Sequence, residues 1–329
     1  MNWLRQFLGT LNSKVDPPAG AAMPRPGFLP LEVPVLLVHY FPTRNGNIDR
    51  SVTGDVGGSL DSIRAHVQAT TRRVIDTLEQ GSCFRIYRNP SAAPSLRYSV
   101  VERLEFLEPL PTWRKPGHPV PMTDYNAVME RIDARTWVTG HGVKEIWIWG
   151  YHGGVIDLWD SNIAGPWGDI SNSDRDPYDL PVFDRTYTVY HYNYGRGTSE
   201  AVEDHMHQIE AVLRYVDPDL FWNRFVGRPG EGRCGWAHYP PNGVRDYDWC
   251  NRSVVWSDIE DWRPDGGGQK IPINCDRWNG DSLQWFLYWM QSLPGADHGL
   301  TWHGRPLSNW WTFIGDFDGA MRGRLGLVE

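Results

Sequence analysis

The residues best spaced for chemistry lie in one stretch, Thr198–Leu213 (TSEAVEDHMHQIEAVL). Val202, Met206, Ile209 and Leu213 recur at helical spacing as an apolar stripe. Beside it run Glu203, His207 and Glu210 at i, i+4 and i+7, with Glu200 one turn earlier. Acid, imidazole and acid on one helical line converge, so Glu203, His207 and Glu210 can hold a divalent metal ion. They can equally hold a general base tuned by a neighbouring charge. A solvated charged face with one hydrogen-bonded histidine gives the same pattern. His205, two residues from His207, faces elsewhere, and the H-E-x-x-H zinc signature is absent.

Two loop-like segments add further candidates. In Asp157–Asp179, Asp160 stands between Trp159 and Asn162 and is the carboxylate expected in a pocket. Asn172, Asp174 and Asp176 alternate as at the start of a calcium loop, but the glycine and glutamate that complete one are missing, which leaves Asx turns. In Arg233–Asn251 (RCGWAHYPPNGVRDYDWCN), two prolines and Asn242-Gly243 set a rigid turn between His238 and the pair Asp246 and Asp248. Trp149, Trp159 and Trp236 would stack on a sugar face, while Asn242, Asp246 and Asp248 would bond its hydroxyls. A disulfide-bearing structural loop is the alternative, because Cys234 and Cys250 bracket the segment. Asp258 and Asp261 beside Trp256 and Trp262, and Asp316 and Asp318 after Trp310-Trp311, are weaker candidates.

Several reaction classes lack their signatures. There is no G-x-S-x-G elbow, no P-loop and no G-x-G-x-x-G after a strand. The net charge of −8, from 32 basic and 40 acidic residues, disfavours nucleic acid and anionic membranes. No apolar run approaches the roughly 20 residues that span a bilayer. With 18 Trp and 14 Tyr the chain carries more aromatic surface than a core alone needs. That points to a glycan or another neutral small polymer as ligand. The four cysteines have no zinc-ribbon spacing, and one disulfide among Cys234, Cys250 and Cys275 is expected.

The elements that must position these residues alternate as strand and helix. Val35–Phe41 reads as a strand buried on both faces. Ser59 caps a helix that Gly81 ends, and Phe84–Arg88 and Leu96–Leu107 read as strands. A helix is expected over Asp124–Val138, a strand over Lys144–His152, a long Asx-rich loop over Asp157–Asp184, a strand over Thr186–Tyr194 and a helix from Thr198 to Val216. The spacing predicts an α/β fold with a mixed, largely parallel sheet. Residues 1–30 form an arm or linker, 31–216 the α/β core, and 217–329 a loop-rich aromatic part of the same unit, held by the buried helix Ser282–Leu293.

The runs YNYGR–EAVEDHMHQIE (Tyr192–Glu210), CGWAHYPPN–DYDW (Cys234–Trp249) and SNWW (Ser308–Trp311) resemble a group of bacterial proteins, many of them secreted. The resemblance covers over half of the chain and implies no activity, only an extracellular or periplasmic setting. The N-terminus itself lacks the uninterrupted apolar core of a signal peptide, so a cytoplasmic setting stays open.

The leading expectation is therefore a hydrolase acting on a carbohydrate, with Asp160, Glu203 and Glu210 as acid and base or nucleophile and His207 and His238 assisting. The second is a metal-dependent hydrolase of an amide or ester, in which Glu203, His207 and Glu210 hold the ion and His238 or Asp160 completes its sphere. The third is a non-catalytic glycan-binding protein.

Overall fold

The apolar run near the N-terminus forms β1 (Leu31–Tyr40), buried over its second half. The computed structural model describes residues 29–54, 56–152, 154–157, 159–171 and 178–329. Most of the expected arm, and the Asn172, Asp174 and Asp176 alternation, lie outside the described residues.

After β1 the chain enters α1 (Leu60–Gly81), whose N-cap Ser59 accepts a hydrogen bond from the Ser62 amide at 3.2 Å. Then follow β2 (Leu96–Phe106), α2 (Tyr125–Arg131), β3 (Glu145–Gly150), β4 (Ser161–Gly165), β5 (Gly168–Ser171), β6 (Tyr187–Asn193), α3 (Thr198–Val216) and α4 (Ser282–Met290). Six strands make one sheet in the order β2-β1-β3-β6-β4-β5. The first four run parallel, and β4 and β5 add an antiparallel edge. β2, at the other edge, alternates buried and exposed residues only at its start and is otherwise largely solvated.

Helices α1, α3 and α4 pack against one another, and α3 lies against β4, β5 and β6. Trp147 and Trp149 of β3 and Tyr190 and Tyr192 of β6 form an aromatic layer with His205 of α3, which shares a 2.6 Å hydrogen bond with the Tyr192 hydroxyl. On the other side of β6, His191 meets Tyr125 of α2, itself stacked on Trp159. The buried residues of the aromatic C-terminal part belong to the same continuous core as those of the sheet. Among the described residues no helix is long and apolar enough to cross a membrane.

Four local expectations need correction. Phe84–Arg88 is a turn instead of a strand, because Arg85 takes a positive φ of 51° that breaks the extended run. The helix expected over Asp124–Val138 stops at Arg131 and resumes as a short π-turn at Thr136–Gly140, with Asp133 left-handed between them and Asp124 as the cap of its first part. The Asx-rich loop contains the β4–β5 hairpin, whose first strand pairs with β6. All four cysteines are free thiols, with Cys83, Cys234 and Cys275 buried separately and Cys250 exposed, its Sγ donating to the Gly280 carbonyl.

Candidate functional site

The parallel strands β3 and β6 end side by side, and the chain leaves β6 through the turn 193–197 to enter α3. Ligand sites in such sheets form outside the carboxyl ends of strands. Here a cleft of about 700 Å³ opens along α3, between that helix and the loop 235–249.

Three side chains meet in it. Glu203 and His207 lie one turn apart on α3, and His238 comes from the loop. One ligand atom of each lies within 4.8 Å of the other two. Glu203 Oε1 is 2.8 Å from His238 Nε2 and 3.7 Å from His207 Nε2. The far nitrogen of each imidazole faces another carboxylate: His207 Nδ1 lies 3.5 Å from Glu210 Oε2, and His238 Nδ1 lies 3.6 Å from Asp246 Oδ1. Burial opposes charge on His207, but Glu203 and Glu210 outweigh it and push its pKa up to about 10. Burial would raise the Glu203 carboxyl, yet hydrogen bonds from His207 and His238 pull it down to about 2.

The loop that brings His238 to the helix is held from behind by indoles. Trp289 of α4 donates from Nε1 to the Gly235 carbonyl at 2.8 Å. Trp285 of α4 and Trp249 both donate to the Ala237 carbonyl at 3.0 Å. Glu210 Oε1 accepts the Ala237 amide at 2.7 Å, so the same residue faces His207 and anchors the loop. Gly235 has a φ of 72°, and a Cβ there would fall 2.3 Å from the Tyr239 carbonyl oxygen, so only glycine makes this entry.

Asp160 lines the cleft, as its loop position predicted, together with Asp204, Glu200 and Arg196. Burial, followed by the nearby charge of Asp160, holds the Asp204 carboxyl well above the usual carboxylate range. Trp222, Trp236, Trp249 and Tyr247 supply its aromatic walls. A second chamber of about 220 Å³ continues past Asp160 and Asp204 toward the end of β6.

The structure thus unites Asp160, Glu203, His207, Glu210, His238 and Trp236, with Asp246 behind His238. Other expected binding residues are not in the cleft. Trp149 is fully buried in the aromatic layer, and Trp159 is buried against Tyr125. Asn242 spends its amide on the Asn251 and Ser253 carbonyls, and Asp248 accepts from Val244 and Asn251, so both close the loop from within. Asp258 is ion-paired with Arg233, Trp262 is fully buried, Asp316 caps the helix that follows it and Asp318 accepts from Thr186.

Asp204, Arg196, Trp222 and Tyr247 escaped the sequence reading. Asp204 had a signal, since it stands four residues after Glu200 on the same helix. Trp222 and Tyr247 had none, because their approach to the cleft depends on tertiary packing. Compared with known protein families, curated proteins and solved structures, the chain matches none of them.

Proposed function

We propose that the protein is a metal-dependent hydrolase of an amide or ester, with Glu203, His207 and His238 as the ligands of one divalent ion. The observation that carries this reading is the convergence of two imidazoles and a carboxylate within 4.8 Å, each imidazole backed by a further carboxylate. Such outer carboxylates orient ligand histidines and raise their basicity. In this assignment Glu210 supports His207 from its far nitrogen and is not itself a ligand.

Glu203, His207 and His238 would hold the ion, which when bound would acidify a water molecule and polarise a carbonyl. To ligate, His207 must first release the proton that its carboxylate neighbours favour, so affinity rises with pH. Asp204, kept neutral beside the same cleft, can hand a proton to a departing group. Asp160 shares that wall, and its charge adds to the burial that raises the Asp204 carboxyl.

A glycan as the substrate keeps support from the aromatic walls. The paired-carboxylate mechanism fits less well. Glu203 and Glu210 flank one imidazole instead of facing each other across a bond, and Glu210 is tied to the Ala237 amide.

The test is titration of metal-depleted protein with Zn²⁺, followed by turnover assays of the loaded protein on ester and peptide panels. One ion per chain should bind, and His207→Ala and His238→Ala should each weaken binding by more than about 100-fold while leaving a folded protein. Zinc binding that is absent, or unchanged in both variants, overturns the assignment.

A further inference from the structure

The motif Tyr192–Arg196 (YNYGR) is the part of the sequence that the metal centre leaves unused. It forms the turn between β6 and α3, and the turn is pinned on several sides. The Asn193 side chain accepts the Gly195 amide at 2.8 Å, and the Arg196 amide donates to the Asn193 carbonyl at 3.0 Å. His66, from α1, meets the Arg196 carbonyl at 3.1 Å. A Cβ on Gly195 would fall 2.7 Å from Val56, so the chain passes too close to its neighbour for any larger residue.

This turn delivers one side chain to a junction. Arg196 lines the main cleft, the second chamber past Asp160, and a third cavity of about 560 Å³ beside α1. Among the described residues it is the one Arg or Lys lining any of the three. Its neighbour Glu200 is turned away to accept the Gly197 amide at 3.2 Å. Its side chain is exposed, and its charge acts on the Asp204 carboxyl without outweighing the burial there.

We infer that Arg196 is a specificity-determining residue that receives an anionic group, a carboxylate or phosphate, carried by the substrate at a distance from the bond that is cut. A guanidinium offers a planar fork of donors that matches either oxyanion. Away from the imidazoles of His207 and His238, the charged groups that line the cleft besides Arg196 are the carboxylates of Asp160, Glu200, Glu203 and Glu210, which disfavour an anion. The charged end of a ligand is thereby fixed at the turn, and its other end is directed along α3 toward His207. The inference rests on the hydrolase reading only in calling this anion part of a substrate; the binding of the anion does not.

The experiment follows tryptophan fluorescence, which Trp222, Trp236 and Trp249 supply at the cleft, during titration with inorganic phosphate and separately with glutarate. It is run on metal-depleted and zinc-loaded protein. Wild type should bind one of the two saturably, and Arg196→Gln should weaken that binding at least tenfold, with Arg196→Lys between them. Zinc affinity and melting temperature should be unchanged in Arg196→Gln, since the side chain is exposed and lies outside the metal-ligand set. The tighter of the two probes identifies the class of anion. No saturable binding in either metal state, or equal binding by wild type and Arg196→Gln, overturns the inference. Anion binding that depends on Arg196 in a protein that takes up no zinc would sink the metal assignment and keep this one.

Discussion

In the sheet, Trp149 sits on a strand whose amides and carbonyls are already satisfied by β1 and β6, and its own indole N–H finds no acceptor among the described residues. Beyond residue 217, where regular strands are few and short, Trp249, Trp285 and Trp289 do the opposite. The rings of Trp285 and Trp289 fill the core while that of Trp249 walls the cleft, and all three N–H groups take up loop carbonyls that no ladder reaches. Trp262, Trp278 and Trp310 repeat the pattern on the carbonyls of Arg224, Trp249 and Leu327. A buried backbone group without a partner costs about 1–3 kcal/mol. In this half of the molecule the indole stands in for the neighbouring strand, and that accounts for much of the surplus of tryptophan.

The sharpest way to break this contrast is a matched pair, Trp289→Phe and Trp149→Phe. Both shed the same volume from a fully buried site. Only Trp289→Phe strands a carbonyl, so it should lose about 1–3 kcal/mol more in denaturant unfolding. It should also weaken zinc binding, because the Gly235 carbonyl steers the loop of His238, whereas Trp149→Phe should leave zinc affinity alone. Equal losses in both readouts would end the distinction between the two halves.

A smaller effect tests the sheet side. Burial raises the Glu145 carboxyl, at the start of β3, to about 8 against hydrogen bonds and charge from Trp147 and Lys144. The fold therefore prefers its protonated form. That contribution is complete below the ordinary carboxylate value near 4.5 and is lost as pH rises through 8. Glu145→Gln should then melt higher than wild type at pH 8.5, with the difference shrinking toward pH 5. A gap that grows on acidification would contradict the burial argument.

Smallest of the three is Asp246→Asn. This carboxylate backs His238 but is largely exposed, with 61% of its side chain accessible. Zinc affinity should fall by about tenfold at most. A loss as large as that of His207→Ala would move Asp246 from supporting residue to ligand.

What the sequence disclosed followed from periodicity. The line Glu203–His207–Glu210 was visible because a helix repeats every 3.6 residues, and α3 has the bounds its stripe implied. His238 stood out because prolines and Asn-Gly fix the loop around it. Other features depended on partners distant in the chain. β4 (SNIAG) has one large apolar residue and becomes a strand through pairing with β6. Whether an indole lines a cleft or fills a core cannot be read from its neighbours in sequence, so Trp149 and Trp159 were expected at the ligand and Trp222 was not. Asn242 and Asp248 have the chemistry of sugar contacts but spend it on the loop itself.

Arg196 precedes the first turn of α3, and His207 lies in its third. A helix rises about 1.5 Å per residue, so the step from Gly197 to His207 spans about 15 Å along a rigid rod. If the guanidinium and the metal ligands serve one substrate, α3 is a gauge block. It would accept molecules by the separation between their charged end and their labile bond, and inserting four residues, one full turn, between Arg196 and Glu203 would reset that length without altering either end.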